Sequence, residues 1–405
     1  MSLNVLAGSP TGRPHHRSLF LGALHLPPVL VLVLALAWAL LPASAQAGPH
    51  SSVSAAVTLG DSFISGEAGR WQGNSPDPTL CRRGTDRACT LDATTGLIPS
   101  YDTSSVYLGA SDADGCHRSD VSEVITASLA VDERINIACS GAVTANIFRA
   151  SQGGEVYKTE APQADQLAPI AAAKNVKLVV LSIGGNDLGF SSIITACLEA
   201  YAARLGSCSA AQQATVDAAM PAARAAVGKA IDEIRAVMSQ AGYAGGSYRL
   251  VLQSYPSPVP RAAENRYPEQ DDTRLLVGGC PFYDADLDWA RDSLVPQISS
   301  NLKSVADSKG VQFMSLQDAF QGREACATAS SQVLTFPTGS TSEWARFLDL
   351  GVQGVKEESL HPNRYGQRAF GDCLSLLQTT QKTRDYACRN TPGLGPDQMQ
   401  LTRIY

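Results

Sequence analysis

Apolar residues along this chain fall into two spacings. Short runs rich in Val, Ile and Leu occur at 53–60, 134–139, 176–183, 249–255 and 311–316. Each is mostly bounded by Gly, Ser, Pro or Asn and predicts a strand. Between the later runs, 217–240 sets Ala222, Ala226, Ile231, Ile234 and Val237 at helical spacing, and 286–307 has the same period. Gly242 and Gly310 follow these stretches as C-caps. Strands separated by helices predict right-handed crossovers and a parallel sheet covered by helices on both faces. Ligands of such sheets lie beyond the carboxyl ends of the strands, so a catalytic group should directly follow a strand.

The amino-terminal segment stands apart from this pattern. Arg13 and Arg17 form a short basic region, and Leu19 to Leu41 is almost wholly apolar. Small-residue sites come next at Ala43-Ser44-Ala45 and Ala45-Gln46-Ala47. That order predicts a secretory signal peptide over residues 1–47, cleaved near Ala45 or Ala47, and a secreted protein. The apolar run is long enough to be weighed as a membrane anchor. His25, Pro27 and Pro28 interrupt it, which favours cleavage. No linker, repeat or charge block divides the rest of the chain, so residues 48–390 are expected to form one domain, with 391–405 as a tail.

Charge and cysteine content narrow the class. Removing residues 1–47 lowers Lys+Arg from 32 to 30 against 38 Asp+Glu, taking the net charge from −6 to −8. An acidic chain without a basic cluster excludes nucleic acid as a partner and suits an anionic membrane poorly. All ten cysteines (81, 89, 116, 139, 197, 208, 280, 326, 373 and 388) lie beyond the leader. An even count in an exported chain reads as disulfides. The simplest connectivity is sequential: Cys81–Cys89, Cys116–Cys139, Cys197–Cys208, Cys280–Cys326 and Cys373–Cys388. No C-x-x-C is present and only His50, His117 and His361 lie beyond the leader, so neither a metal nor another cofactor is expected.

Four segments carry candidate chemistry. The first strand runs into Gly60-Asp61-Ser62-Phe63-Ile64-Ser65-Gly66-Glu67. A serine there meets a helix N-terminus, where partial positive charge favours a developing anion; the plainer reading is an N-cap. A nucleophilic serine needs a base. His50 lies at the new terminus and His117 in a polar loop, whereas His361 sits in Glu357-Glu358-Ser359-Leu360-His361-Pro362-Asn363, ahead of a helix predicted over 365–377. Glu358, three residues upstream, offers a group to hold the imidazole. Gly184-Gly185-Asn186-Asp187 ends the strongest predicted strand and offers the Asn186 amide to an oxyanion, although a turn asparagine looks the same. Gly141, in Ala138-Cys139-Ser140-Gly141, offers a further N–H or is an ordinary loop glycine.

Together these segments are far more specific than any one alone. From about residue 53 to 380 the chain resembles the SGNH (GDSL) hydrolases, on Gly60-Asp61-Ser62, Gly141, Gly184-Gly185-Asn186-Asp187 and Glu358-Ser359-Leu360-His361-Pro362-Asn363. With Cys116-His117-Arg118-Ser119 and the many cysteines, it most resembles secreted actinobacterial esterases and lipases. The resemblance implies a flavodoxin-like α/β three-layer sandwich of about five parallel strands, stapled by disulfides. It implies Ser62 as nucleophile, His361 as base, and an oxyanion hole of Ser62, Gly141 and Asn186. Two positions depart from the family pattern. Glu358 stands where Asp is usual, and similar secreted members use a main-chain carbonyl there, so Glu358 is expected to orient His361 by one or the other. Phe63 stands where Leu is usual. The G-x-S-x-G elbow of α/β-hydrolases is absent.

The implied activity is hydrolysis of carboxylic esters. Fatty-acyl or lipid esters are favoured by the resemblance and by the apolar stretch Leu188–Leu198 beside the Asn186 segment. An acetyl esterase acting on carbohydrate ranks second, because 6% aromatic content shows no sugar-stacking stripe. A non-catalytic binding protein on the same fold ranks third, since no site residue is lost. A monomer touching lipid surfaces only transiently is expected.

Overall fold

The computed structural model describes residues 52–74, 84–85, 89–91, 99–101, 106–332, 337–348 and 356–405. All of them fall in one compact unit, Ala47–Tyr405. The expected signal peptide and Cys81 lie outside the described residues, so the expected Cys81–Cys89 couple is not among the described disulfides. No described helix is long and apolar enough to cross a membrane.

A seven-stranded sheet organises the unit. Its strands are β1 (Ser54–Gly60), β2 (Glu133–Asn136), β3 (Asn175–Ser182), β4 (Arg249–Gln253), β5 (Gln312–Ser315), β6 (Asp385–Arg389) and β7 (Gln400–Ile404), in the order β7-β6-β5-β4-β3-β1-β2. The first six are parallel, and β7 pairs antiparallel with β6. The 2-1-3-4-5 order within this sheet is that of flavodoxin-like folds, with its switch point at β1/β3. The five expected strands are present within a few residues of their expected bounds.

Two strands were not foreseen. β6 and β7 extend the sheet, and residues 391–405, expected as a tail, supply β7. Cys373–Cys388 ties β6 to the preceding helix. It spans a separation of 15 residues, a closure that disfavours the unfolded chain by about 3 kcal/mol on a chain-entropy estimate.

The central strands are buried on both faces, which is why they read as apolar runs rather than alternating ones. Val57, Leu59, Val179 and Leu181 face helices α1 (Gln163–Ala173), α2 (Phe190–Ala202), α3 (Ser209–Gln240) and α4 (Val295–Lys309). Ala56, Leu178, Val180 and Val251 face α5 (Arg364–Gln378) through Ala369, Phe370 and Leu374. Each fully buried Val or Leu contributes roughly 1.5–3 kcal/mol. The expected α/β three-layer sandwich is therefore present. Four of the five sequential cysteine couples are disulfides: Cys116–Cys139, Cys197–Cys208, Cys280–Cys326 and Cys373–Cys388.

Candidate active site

The carboxyl ends of β1, β2 and β3 are laced together by backbone hydrogen bonds. Asp61 N donates to Ser182 O at 3.1 Å, joining β1 to β3, and Cys139 N donates to Gly60 O at 3.1 Å, joining β1 to β2. Gln163 of α1 clasps Gly60 from the side: its Oε1 accepts from Gly60 N at 2.7 Å and its Nε2 donates to Gly60 O at 2.8 Å. Gly60 has φ +143°, and a Cβ there would sit 1.9 Å from Ser182 O. Only glycine fits so close an approach.

Ser62 opens a one-turn helix, Ser62–Ser65, capped by the Asp61 carboxylate, which accepts from Phe63 N at 3.1 Å. The capping role and the candidate nucleophile are thus adjacent residues. Asp61 Oδ2 also accepts from the Tyr255 hydroxyl at 2.5 Å, and that hydroxyl accepts from Gly185 N at 3.1 Å. Burial pushes the Asp61 carboxyl up to about 7, against the lowering effect of the Tyr255 and Phe63 hydrogen bonds. The chain Gly185–Tyr255–Asp61 links the Asn186 loop to the serine turn and was not read from the sequence.

His361 reaches across 299 positions to place Nε2 2.6 Å from Ser62 Oγ. Its loop is fixed from behind by residues 344–346: Leu360 N donates to Arg346 O at 3.0 Å, Arg346 N to His361 O at 2.8 Å, and Asn363 N to Trp344 O at 2.9 Å. Asn363 then caps α5, its Oδ1 accepting from Tyr365 N and Gly366 N. Phe63 packs against the imidazole with ring centroids 4.9 Å apart.

The other ring nitrogen corrects the expectation for Glu358. His361 Nδ1 lies 3.0 Å from Ser359 O. A carbonyl only accepts, so Nδ1 carries the proton and Nε2 presents its lone pair to Ser62. Neither the Glu358 carboxylate nor its carbonyl holds the ring. Its carbonyl accepts from His361 N at 3.3 Å. Its carboxylate, 1% exposed, takes Arg70 Nε at 2.5 Å, Arg70 Nη2 at 3.0 Å and Trp71 Nε1 at 2.9 Å. Arg70 and Trp71 belong to the segment just past Ser62, so Glu358 braces the histidine loop against the serine loop. Leu360, at φ +61°, turns the backbone so that the Ser359 carbonyl faces the ring.

The remaining predicted residues converge on the same edge. Asn186 Nδ2 donates to Ala142 O at 2.9 Å, and Asp187 accepts from Thr144 N at 3.1 Å, bracing the Asn186 loop on the Gly141 loop. Gly141 has φ +84°, and a Cβ there would lie 2.5 Å from the Tyr157 hydroxyl. The Ser62 and Gly141 amides have no acceptor among the described residues, and one Nδ2 hydrogen of Asn186 is left over. Such uncommitted donors at a strand-end cleft are what an oxyanion requires. Burial lowers the pKa of His361 despite an opposing carboxylate field, which keeps Nε2 unprotonated at neutral pH. An apolar cavity of about 50 Å³, walled by Phe190, Ile193, Ile194, Val259, Trp289 and Leu360, adjoins the site through Leu360, the neighbour of His361, and Phe190, which packs on Phe63.

A serine on a strand-to-helix turn, a histidine held by a main-chain carbonyl and uncommitted amides meet at the switch point of a flavodoxin-like sheet, an arrangement suited to acyl transfer. The profile of the GDSL-like Lipase/Acylhydrolase family matches residues 58–369, and the chain belongs to that family. Solved structures similar to it include an extracellular lipase from Streptomyces rimosus, 21% identical, with a TM-score of 0.44 over 81% of this chain and 100% of that one. A phospholipase A1 from Streptomyces albidoflavus NA297 is 21% identical, with a TM-score of 0.44 over 82% of this chain and 100% of that one. Est24, a carbohydrate acetylesterase from Sinorhizobium meliloti, is 11% identical, with a TM-score of 0.30 over 68% and 89% of the two chains. No curated protein sequence matches.

Proposed function

We propose that this protein hydrolyses carboxylic esters with an apolar acyl group through an acyl-enzyme on Ser62. His361 Nε2 removes the Ser62 proton as Oγ attacks the ester carbonyl. The Ser62 and Gly141 amides and the Asn186 side chain receive the oxyanion. His361 then passes its proton to the leaving alcohol, and water repeats the cycle on the acyl-enzyme. Ser359 O holds Nδ1–H throughout, so the site works as a dyad with a carbonyl in place of a triad acid.

The observation that carries the proposal is the 2.6 Å contact between Nε2 and Oγ, with Nδ1 committed to a carbonyl. The acyl preference rests on the cavity beside the dyad, whose wall includes Phe190, Ile193 and Ile194 of the apolar stretch after Asn186. Export is part of the same reading, because four disulfides belong to an oxidising compartment.

Turnover of chromogenic esters from acetate to palmitate, with phospholipid and an acetylated sugar alongside, tests it. Ser62→Ala should lower kcat by several orders of magnitude while the protein stays folded. A folded Ser62→Ala protein with near-normal activity would falsify the mechanism. Preference for the acetylated sugar would replace the acyl assignment.

A further inference from the structure

The dyad leaves an electrostatic gap. When His361 takes the Ser62 proton it becomes a cation in a half-buried site, and its Nδ1–H points to a neutral carbonyl. Glu358, the carboxylate nearest in sequence, is matched by Arg70 and Trp71. A second carboxylate is built into the same wall. Glu67 lies five residues after Ser62, its N–H donates to Ser62 O at 3.2 Å, and it is fully buried. Glu67 Oε2 is bonded to His117 Nδ1 at 2.7 Å; Oε1 is buried with no hydrogen-bond partner of normal geometry, and the Ser140 hydroxyl is a further donor acting on the carboxylate. A buried carboxylate oxygen without a well-placed donor is costly unless its charge is used.

We propose that Glu67 is a positioning residue for ester hydrolysis, its buried carboxylate supplying through space the counter-charge to the His361 imidazolium that a triad acid supplies through a hydrogen bond. The inference rests on the function proposed above. No proton passes to Glu67: the Ser62 proton moves to Nε2 and then to the leaving alcohol. His117 holds the carboxylate in place, and Tyr107 stacks on the His117 ring at 4.6 Å between centroids.

The surrounding charges fit this role. Burial lowers the His361 pKa, and Glu67 is the largest influence raising it, ahead of Glu358. Burial raises the Glu67 pKa, but the hydrogen bond and charge of His117, with His361 and the Ser140 hydroxyl, bring it below its ordinary value, so Glu67 is ionised where His361 works. Burial lowers the His117 pKa, but the hydrogen bond and charge of Glu67 bring it above its ordinary value, with Lys158 opposing and Glu358 adding to the rise. Arg70, Glu358 and Asp112 act on Tyr107, whose hydroxyl burial keeps protonated.

The test compares wild type, Glu67→Gln and Glu67→Asp in two measurements on the secreted protein: the pH profile of kcat, and the NMR titration of the His361 ring. Glu67→Gln removes the charge, so the His361 midpoint should move to lower pH, the acid limb should move with it, and plateau kcat should fall at least about tenfold. Glu67→Asp, which keeps the charge, should restore most of both. An unmoved midpoint in folded Glu67→Gln overturns the proposal, even if kcat falls, because packing alone would then explain the loss. If Glu67→Gln does not fold, Glu67→Asp decides: drawing the carboxylate back by one methylene should lower midpoint and kcat together by a small part of the Gln effect, and an unmoved midpoint overturns the proposal. The ring titration is read without any ester, so wild type that turns over no ester refutes the function and leaves the Glu67 coupling measurable.

Discussion

Glu358→Gln separates a bracing carboxylate from a catalytic one. In a Ser-His-Asp triad the acid sets the histidine tautomer, and its amide variant loses about 10⁴ in kcat. Here Ser359 O sets the tautomer, so that loss should not occur. What Glu358 does hold is Arg70, bonded through Nε and Nη2 and 3% exposed, together with the Trp71 indole. Glutamine keeps one acceptor oxygen but withdraws the charge opposite a buried guanidinium. Breaking a buried pair from one side costs about 3–5 kcal/mol. A domain of this size should then melt roughly 6–20 °C lower, taking about 2–4 °C per kcal/mol. The expected result is a marked fall in Tm with kcat within about tenfold of wild type, measured well below the new transition. A loss near 10⁴ in kcat with an unchanged Tm would refute the reasoning and return Glu358 to the triad.

Buried ionisable groups set two further outcomes. His361 has a lowered pKa, so kcat/KM should stay level through neutral pH and fall only as pH drops below the ordinary histidine value of 6.5; an acid limb centred above 6.5 would contradict this. Glu123 is buried under α5, accepts from Gln253 Nε2 at 3.0 Å, and has its carboxyl pushed up to about 8 by burial. The folded state therefore binds a proton that the unfolded chain releases near 4.5, and stability drains as pH rises from 4.5 towards 8. Glu123→Gln, which mimics the protonated acid, should raise Tm at pH 8 and make no difference near pH 4.5; equal gains at both values would show a packing effect instead.

The central sheet was legible because strands buried on both faces leave unbroken apolar runs. β6 and β7 were not, since an edge pair carrying Asp385, Arg389, Gln400 and Arg403 has no such run. The start of α3 was missed for a similar reason: 209–216 is small and polar on most sides, and the period emerges only beyond it. Ser62, Gly141 and Asn186 were legible as candidates because they follow strand ends, and His361 because it stands ahead of a predicted helix rather than at the terminus or in a polar loop. The carbonyl of Ser359 was not, because every residue has one and only the turn at Leu360 selects it. The carboxylate of Glu358 was read three residues along the chain to His361, whereas its partner Arg70 lies 288 positions away. Phe63 was read only as a departure from the usual Leu, yet its ring contacts His361, Tyr255 and Phe190.

Gly60 has a consequence for how this protein can drift. Ser62 performs the chemistry proposed above, yet the fold asks little of its hydroxyl, so a copy released from selection for catalysis can lose it and persist as a folded protein. Gly60 has no such freedom. It takes no part in the reaction, but β1, β2, β3 and α1 all meet it, and the space a first carbon would need is already occupied by Ser182 O at 1.9 Å. A library sorted only for secretion should therefore be permissive at the nucleophile and intolerant two residues before it. Among descendants of this chain, the glycine would outlast the activity it helped to build.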